Sequence, residues 1–205
     1  MPRIADRALQ ALLDRDLITR LIGDWFLWRD SGNWPRLRAC YTPDAVMHTT
    51  WFVGSAGEFV ERSIEMAKKG VRSQHSMGAT TIALNGERAT AETRMMLLLR
   101  ATLQGVEADV VAYARFYDFL LRHKDGWLFR RRIPIYEKDR IDPVRPGAAL
   151  DLDAAELVRY PAAYRHVAYV QARGGGRITP DLPTVDDAGS VARLYAEGAE
   201  WLSTT

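Results

Sequence analysis

The chain contains one cysteine, Cys40, and no long hydrophobic run. A single thiol cannot form an internal disulfide, which favours a reducing compartment. Because no stretch of about 18 consecutive apolar residues is present, no transmembrane helix is predicted. The first residues, MPRIADRALQALLDRD, are charged and lack the apolar segment of a secretion signal. We therefore expect a cytoplasmic protein that does not insert into a membrane.

An excess of charge of one sign is also missing. Lysine and arginine number 28, and aspartate and glutamate number 26, which gives a formal net charge of +2. The pI near 8.8 depends on this small excess and does not indicate a nucleic-acid partner. We expect the partner to be a small molecule and not a nucleic acid.

Several motifs of cofactor and metal chemistry are absent. The sequence has no HExxH, no paired cysteines and no closely spaced histidines, so a metal site has little support. It has no GxxxxGKS/T phosphate loop, and the GSAG segment at 54–57 does not match a GxSxG nucleophile elbow. The three glycines at 174–176 follow a predicted helix rather than a strand, unlike a dinucleotide-binding loop.

The composition is that of an ordinary globular protein. The 205 residues are 47% hydrophobic and 26% charged. A chain of this mass buries about 70 per cent of its surface on folding, which is enough for a core and a pocket. Length alone favours one domain with an extension.

The hydrophobic period divides the chain into a helical and a strand-forming part. Apolar residues recur at helical spacing up to about residue 70 and alternate from about residue 73. Asn85-Gly86 and Asp125-Gly126 are strong hairpin signals. The predicted helices are 5–30, a short one from Trp34 to Cys40, and 56–70; TPDAVMHTTWFVG is predicted as a strand between two turns; the long strands are 73–84, 89–102, 108–124 and 127–136. We predict an α+β fold whose helices pack on one face of a curved sheet.

After Asp142 the composition changes. The connection DPVRPGAALDLD is followed by predicted helices over 153–173 and 188–202. We divide the chain into a domain of residues 1–142 and a C-terminal helical extension of residues 143–205. We expect the extension to pack on the sheet, on a pocket mouth or on a neighbouring subunit.

Asp30 and His75 are the strongest candidates for chemistry. Asp30 follows Phe26 and Ile22 at helical spacing, so it shares part of their inward face, and its charge opposes the negative end of the helix dipole. His75 lies on the first long strand, on the predicted face of Met77 and Ala79. Both residues can have structural roles. If they meet in a cavity, the carboxylate fixes one histidine tautomer, and the ring can act as a general acid or base.

Three further polar residues are candidates for substrate binding. Arg115 lies in a strand that is apolar on both faces, so it points either inward, where it could hold a substrate oxygen, or outward. Tyr117 shares its face and could donate a hydrogen bond. His48, in VMHTT, could line a pocket mouth or have a surface role.

Aromatic and basic residues elsewhere have simpler interpretations. Trp25 and Tyr41 could form either the wall of a cavity or part of the core. Cys40 lies on an apolar stripe, and we expect it to be buried and inert. The three arginines at 130–132 lie on a strand, so their side chains should alternate between faces. We interpret that strand as solvated.

Four segments together resemble a known family. WRDSGNWPRLRACYTPDAV, EFVE, SQHSMGATTIAL and HKDGWLF are similar to the SnoaL-like branch of the nuclear-transport-factor-2-like (NTF2-like) superfamily, which includes scytalone dehydratase, lindane dehydrochlorinase and bile-acid dehydratase. The resemblance covers about residues 5–140. It implies a cone-shaped, mixed or antiparallel sheet wrapped around a long N-terminal helix, with a deep apolar pocket.

The resemblance also implies a site. An aspartate at the end of the first helix and a histidine on a strand form the catalytic dyad of these relatives, at the positions of Asp30 and His75. The dehydratases use no cofactor or metal, and dimers and trimers are usual among the relatives. Arg29 stands where scytalone dehydratase has a tyrosine, and Arg115 and Arg132 could match two arginines found in the wider family.

Three functions follow as hypotheses. The first is a cofactor-independent lyase that dehydrates an apolar cyclic substrate or performs another β-elimination. The second is an isomerase or cyclase that uses the same proton relay on a steroid-, terpenoid- or polyketide-like ketone, with a product of unchanged mass. The third is a non-catalytic ligand-binding or assembly domain, because fold alone does not give function.

Overall fold

The computed structural model describes residues 4–124 and 126–204. Its elements, in chain order, are α1 (Ile4–Ser31), α2 (Trp34–Ala39), β1 (Tyr41–Thr49), β2 (Phe52–Ser55), α3 (Ala56–Lys68), β3 (Ser73–Asn85), β4 (Arg88–Leu103), β5 (Val106–His123), β6 (Gly126–Pro143), α4 (Ala154–Leu157), a short 3₁₀ helix (Ala162–Tyr164), α5 (Arg165–Arg173) and α6 (Ala188–Ser203). Asp125, in the second predicted turn, lies outside the described residues. Within these ranges no helix is long and apolar enough to cross a bilayer.

The six strands form one curved, unclosed sheet in the order β2-β1-β6-β5-β4-β3. All neighbouring strands are antiparallel except β1 and β6, which are parallel. The predicted mixed α+β fold is therefore confirmed. The segment predicted as one strand between two turns instead forms the β1–β2 hairpin.

The helix α1 packs on one face of the sheet, against β3 and β6. Its apolar stripe, at the spacing the sequence predicts, is completely or almost completely buried: Ile18, Ile22, Trp25 and Phe26. Cys40 belongs to the same core, and burial raises the pKa of its thiol to about 12. The expectation that Cys40 is buried and inert agrees with this environment.

A β-bulge in β3 changes which side chains share a face. The pairing with β4 shifts between Met77 and Thr80. His75 and Met77 are both partly buried, whereas Ala79 is exposed, so the prediction that Ala79 shares their face is wrong. Gly78 lies in the bulge, where an added Cβ would come within 3.1 Å of the Arg94 Cβ. A side chain at position 78 would therefore require Arg94 to shift by a few tenths of an ångström.

A second irregularity corrects the interpretation of the three arginines at 130–132. The register of β5 with β6 shifts between Phe119, which pairs with Arg131, and Leu120, which pairs with Phe129. The extra residue in β6 lets both Phe129 and Arg132 face the core, and both are fully buried. Strict alternation fails at a bulge because one residue is added on one strand only.

The C-terminal segment packs on the sheet of the same chain. The predicted continuous helix over 153–173 is wrong, because the chain breaks into α4, the 3₁₀ helix and α5 around Pro161. Proline disfavours helical geometry in the residue before it, which is Tyr160 here. Tyr164 and Val167 belong to the main core, and the Tyr164 ring lies 4.8 Å from that of Tyr136.

The helix α6 covers the other face of the sheet. Its Leu194 joins a second hydrophobic cluster with Tyr117, Phe119, Ile133 and Ile135. Gly198 allows the closest contact, because a Cβ at this position would lie 2.0 Å from the Tyr117 hydroxyl oxygen. Both faces of the central strands are therefore covered by helices.

Candidate active site

The structure brings Asp30 and His75 together. Asp30 Oδ1 lies 2.7 Å from the Nδ1 atom of the His75 ring. The other carboxylate oxygen, Oδ2, accepts a hydrogen bond from the backbone N–H of His75 at 2.6 Å. One carboxylate thus binds both the main chain and the side chain of the same residue, which fixes the position and the orientation of the ring.

The fold explains why this contact forms. Asp30 lies in the last turn of α1, which packs against β3. A carboxylate there opposes the helix dipole, at a cost of about 0.3–1 kcal/mol. The two hydrogen bonds from His75 offset this cost, since a hydrogen bond to a charged group contributes about 1.5–3 kcal/mol.

The His75 ring is enclosed by aromatic side chains. It stacks on Phe26 with the centroids 5.7 Å apart and meets Trp25 edge-on at 5.6 Å. Burial lowers the pKa of His75 below its ordinary value, while the hydrogen bond and charge of Asp30 act in the opposite direction. Arg29 and Arg132 add positive potential that lowers this pKa further. The neutral ring is thus favoured at neutral pH.

A cavity opens beside His75, between α1, the sheet and the C-terminal segment. The space that admits the centre of a water molecule is about 50 Å³, which is room for a few waters, since each needs about 10–15 Å³. A cavity that binds a benzene-sized ring measures about 150 Å³, so a cyclic ligand binds here when side chains of the wall move. Most of the wall is apolar, and three of its residues are methionines, whose side chains are flexible. The lining residues are Trp25, Arg29, Met47, Thr49, Thr50, Trp51, Phe59, Met66, Val71, Ser73, His75, Met95, Leu97, Leu99, Phe116, Tyr136 and Gln171.

Trp25 and Tyr41 have different positions relative to this cavity. Trp25 forms part of the wall, as one of its two interpretations predicts. Tyr41 is not among the lining residues; it lies in the core behind Trp25, and its hydroxyl accepts a hydrogen bond from the indole N–H. Burial raises the pKa of Tyr41. Tyr41 therefore supports the wall without reaching the cavity.

Arg115 and Tyr117, two of the candidates for substrate binding, do not line this cavity, and Arg115 has the outward one of its two considered orientations. Along β5, Ala114 and Phe116 point into the main core. Arg115 and Tyr117 alternate with them and therefore point to the other face, towards α6. Arg115 forms ion pairs of 2.9 Å with Glu92 and with Glu137. Tyr117 shares its face, as predicted, and packs in the cluster under α6.

His48 is likewise on the opposite face. It lies between Met47 and Thr49, which line the cavity, so strand alternation directs its side chain away. Burial and the charge of Arg131 lower the pKa of His48, and Glu197 of α6 acts against them. Of the two roles considered for His48, the structure does not place it in the wall of this cavity.

A buried ion pair lies beside the site, and the sequence patterns did not predict it. Arg132 Nε and Nη2 donate to the two oxygens of Asp118 at 2.7 and 2.8 Å, and both side chains are fully buried. The guanidinium lies over the rings of Phe129, Trp25 and Phe116 at 4.1–4.5 Å. An aspartate between apolar residues in β5 was the available signal, because buried carboxylates require a partner.

The described residues contain no cluster of three or more histidine, cysteine, aspartate or glutamate side chains able to hold a metal ion. The polar groups around the cavity instead suit acid–base chemistry: an aspartate, an enclosed neutral histidine and an arginine, Arg29, whose pKa burial lowers.

A long helix packed on a curved, unclosed mixed sheet, with a cavity between them, defines the NTF2-like class of α+β proteins. The model of the SnoaL-like domain matches residues 10–133, which is more than half of the chain. The chain belongs to the SnoaL-like family.

Individual relatives agree with this assignment. Pea pathogenicity protein 2 of Fusarium vanettenii is 30% identical, over 83% of this chain and 75% of that protein. A putative scytalone dehydratase of Novosphingobium aromaticivorans has a similar fold, with a TM-score of 0.57, 18% identity and coverage of 68% of this chain and 97% of that one. A hexachlorocyclohexane dehydrochlorinase of Novosphingobium barchaimii gives a TM-score of 0.56, 13% identity and coverage of 71% and 99%.

Proposed function

We propose that the protein is a cofactor-independent lyase that performs a dehydration or another β-elimination on an apolar cyclic small molecule. The observation that carries the proposal is the Asp30–His75 pair at the wall of an apolar cavity. Two similar folds belong to proteins named as a putative dehydratase and a dehydrochlorinase, and both names denote eliminations.

His75 is the proposed general base. With Asp30 ionised, its Oδ1 accepts the Nδ1–H of His75, so that the lone pair of Nε2 is free to accept a proton. Burial lowers the pKa of His75, which keeps this lone pair available at neutral pH. Asp30 then stabilises the imidazolium that forms when the proton arrives. His75 thus acts as the base and Asp30 as the group that orients it, and the 2.7 Å contact between them supports these roles.

His75 alone can both remove and return the proton in the proposed dehydration. Nε2 takes a proton from a carbon next to an electron-withdrawing group, and the released electron pair forms a carbon–carbon double bond as the β-substituent departs. If that substituent is hydroxide, it takes the proton back from His75 and leaves as water. Low access to solvent strengthens each charge interaction in this sequence.

Mass spectrometry of a substrate panel tests the proposal. Hydroxylated and halogenated cyclic ketones and alcohols are incubated with the wild-type protein and with His75→Ala. A product lighter by one water or one hydrogen halide, formed by the wild type alone, is expected. A product of unchanged mass identifies the isomerase alternative instead. A substrate turned over equally by His75→Ala would contradict the role of the histidine.

A further inference from the structure

Two polar atoms at the cavity have no hydrogen-bond partner among the described residues. They are Ser73 Oγ and Gln171 Oε1, and neither is exposed to water. Both residues line the same cavity as His75. The large majority of buried side-chain polar atoms in proteins are paired, so two unpaired groups at one cavity need a physical explanation.

The two residues come from separate parts of the chain. Ser73 begins β3, on the face of His75 and two residues before it, a displacement of about 6.6 Å along the strand. Gln171 belongs to α5 and lies beyond residues 10–133, the part that matches the SnoaL-like domain. The C-terminal segment thus adds a polar group to a cavity whose other lining residues, apart from Tyr136, lie within the matched range.

The fold holds Gln171 in place at this cavity. The neighbouring residues Val167 and Ala168 of α5 are fully buried in the main core. At the start of α5, Asp139 of β6 accepts hydrogen bonds from His166 Nδ1 and from the backbone N–H of Val167, each at 2.8 Å. The backbone of α5 is therefore fixed, and with it the position from which Gln171 reaches the cavity.

The chemistry of the two groups selects one kind of ligand group. A serine hydroxyl donates one hydrogen bond, whereas the amide oxygen of glutamine only accepts. A ligand hydroxyl has both functions, since it can accept from Ser73 and can donate to Gln171. An apolar ligand group would leave both atoms unpaired, as they are in the ligand-free protein, and would not gain the free energy of these hydrogen bonds on binding.

We propose that Ser73 and Gln171 bind a hydroxyl group of the ligand, and that the protein selects hydroxylated rings over the corresponding hydrocarbons. This hydroxyl lies along β3 from His75 and is distinct from the group that leaves. The ligand's role as a substrate rests on the proposed lyase function, whereas the hydroxyl preference itself is a property of binding.

The stability of the ligand-free protein gives the first test. Ser73→Ala and Gln171→Leu each remove a buried polar atom that lacks a partner, so each is expected to raise the Tm by about 2–4 °C. Ser63→Ala is the matched control, because Ser63 is buried outside the cavity and its hydroxyl donates to the Phe59 carbonyl at 2.7 Å. Its Tm should fall. A fall in Tm for both cavity variants would overturn the proposal.

Binding gives the second test. Isothermal titration compares cyclohexanol with cyclohexane, indanol with indane, and menthol with menthane. The wild type should bind the alcohol of at least one pair more tightly by about fivefold or more, the effect of one hydrogen bond. The double variant Ser73→Ala/Gln171→Leu should lose this preference. A wild type without preference in every pair, or a double variant that keeps it, would overturn the proposal.

Titration of His75→Ala separates this proposal from the lyase proposal. This variant retains Ser73 and Gln171, so it should keep the preference for the alcohol whether or not any substrate is turned over. If the preference is present while no substrate reacts, the hydroxyl site stands and the lyase proposal fails. If turnover is present without the preference, the reverse holds.

Discussion

In the described part of the chain, two histidine–aspartate pairs have nearly the same local geometry. Asp30 binds the ring of His75 at 2.7 Å and a backbone N–H at 2.6 Å. Asp139 binds the ring of His166 and the backbone N–H of Val167, both at 2.8 Å. In each pair a carboxylate on one element holds both the side chain and the main chain of another.

Their surroundings differ. The His75 side chain is 9% exposed and its aspartate 18%, whereas His166 is 24% exposed and its aspartate is completely buried. His75 lies between two aromatic rings at the cavity, and His166 is not among the cavity residues. A hydrogen-bonded pair is therefore not by itself a sign of catalysis. The enclosed histidine beside a cavity suits chemistry, and the enclosed aspartate suits attachment of the C-terminal segment.

The largest difference should appear in turnover. We expect His75→Ala to reduce kcat for a substrate found in the panel by about 10²–10⁴-fold, the usual contribution of general acid–base catalysis. His166→Ala should retain kcat within about threefold when activity is referred to folded protein, because its ring is outside the cavity. Steady-state kinetics measure both. Equal losses in the two variants would show that the pairs do not differ in function.

For stability, the Asp139 pair should matter more than the Asp30 pair, which is the reverse of the order expected for turnover. Asp139→Ala leaves a buried N–H and a histidine ring unpaired, and we expect the free energy of unfolding to fall by about 1–3 kcal/mol. Asp30→Ala should cost less, because it also removes an unfavourable interaction with the helix dipole. Urea unfolding of both variants measures the difference. A larger loss for Asp30→Ala would contradict the assignment of a structural role to the Asp139 pair.

The pH profile should distinguish the role of each aspartate. Because burial lowers the pKa of His75 below 6.5, the acid limb of kcat/KM should lie below pH 6.5 in the wild type. Asp30 raises this pKa, so Asp30→Asn should move the limb further towards acid and reduce the rate. Asp139→Asn is the matched control and should leave the limb in place. If Asp30→Asn instead moved the acid limb of kcat/KM towards alkaline pH, the electrostatic effect assigned to Asp30 would be wrong.

The smallest expected effect is the contribution of His75 to stability below neutral pH. Its pKa is lower in the folded protein than the ordinary 6.5, so the unfolded chain binds more protons just below pH 6.5. The free energy of unfolding therefore decreases as the pH falls from about 6.5 towards the folded pKa. The decrease is about 1.4 kcal/mol for each pH unit that separates the folded from the unfolded pKa.

The difference between the wild type and His75→Ala, from urea unfolding at several pH values, isolates this contribution. It should be constant between about pH 7.5 and 8.5, where His75 is neutral in both states. A difference that also stayed constant from about pH 7 to pH 5 would show that the ring titrates alike in both states.

The sequence was sufficient for the parts of the fold that depend on regular periods. Helical spacing placed Asp30 at the end of α1 near the inward stripe, and alternation placed His75 on a long strand. The family resemblance then suggested that the two meet, and the structure brings them together. This contact joins residues 45 positions apart, which local pattern alone does not specify.

Other features depend on tertiary structure that periods do not encode. Arg115 was ambiguous because β5 is covered on both faces, by the core around α1 and by α6, so apolar alternation could not tell which face lines the cavity. Arg132 was interpreted as part of a solvated strand because a bulge in β6 interrupts the alternation. The shift in β3 that exposes Ala79 is of the same kind.

The parallel pairing of β1 with β6 has a consequence for the order of folding during synthesis. β1 occupies residues 41–49 and its partner residues 126–143. At about 5–20 residues per second the ribosome needs roughly 4–15 s to make the chain between these two strands. Until then the hairpin of β1 and β2 has no neighbour on its other edge, and the apolar stripe of α1 has an incomplete sheet to cover it. We therefore expect nascent chains shorter than about 140 residues to engage chaperones that bind exposed hydrophobic segments.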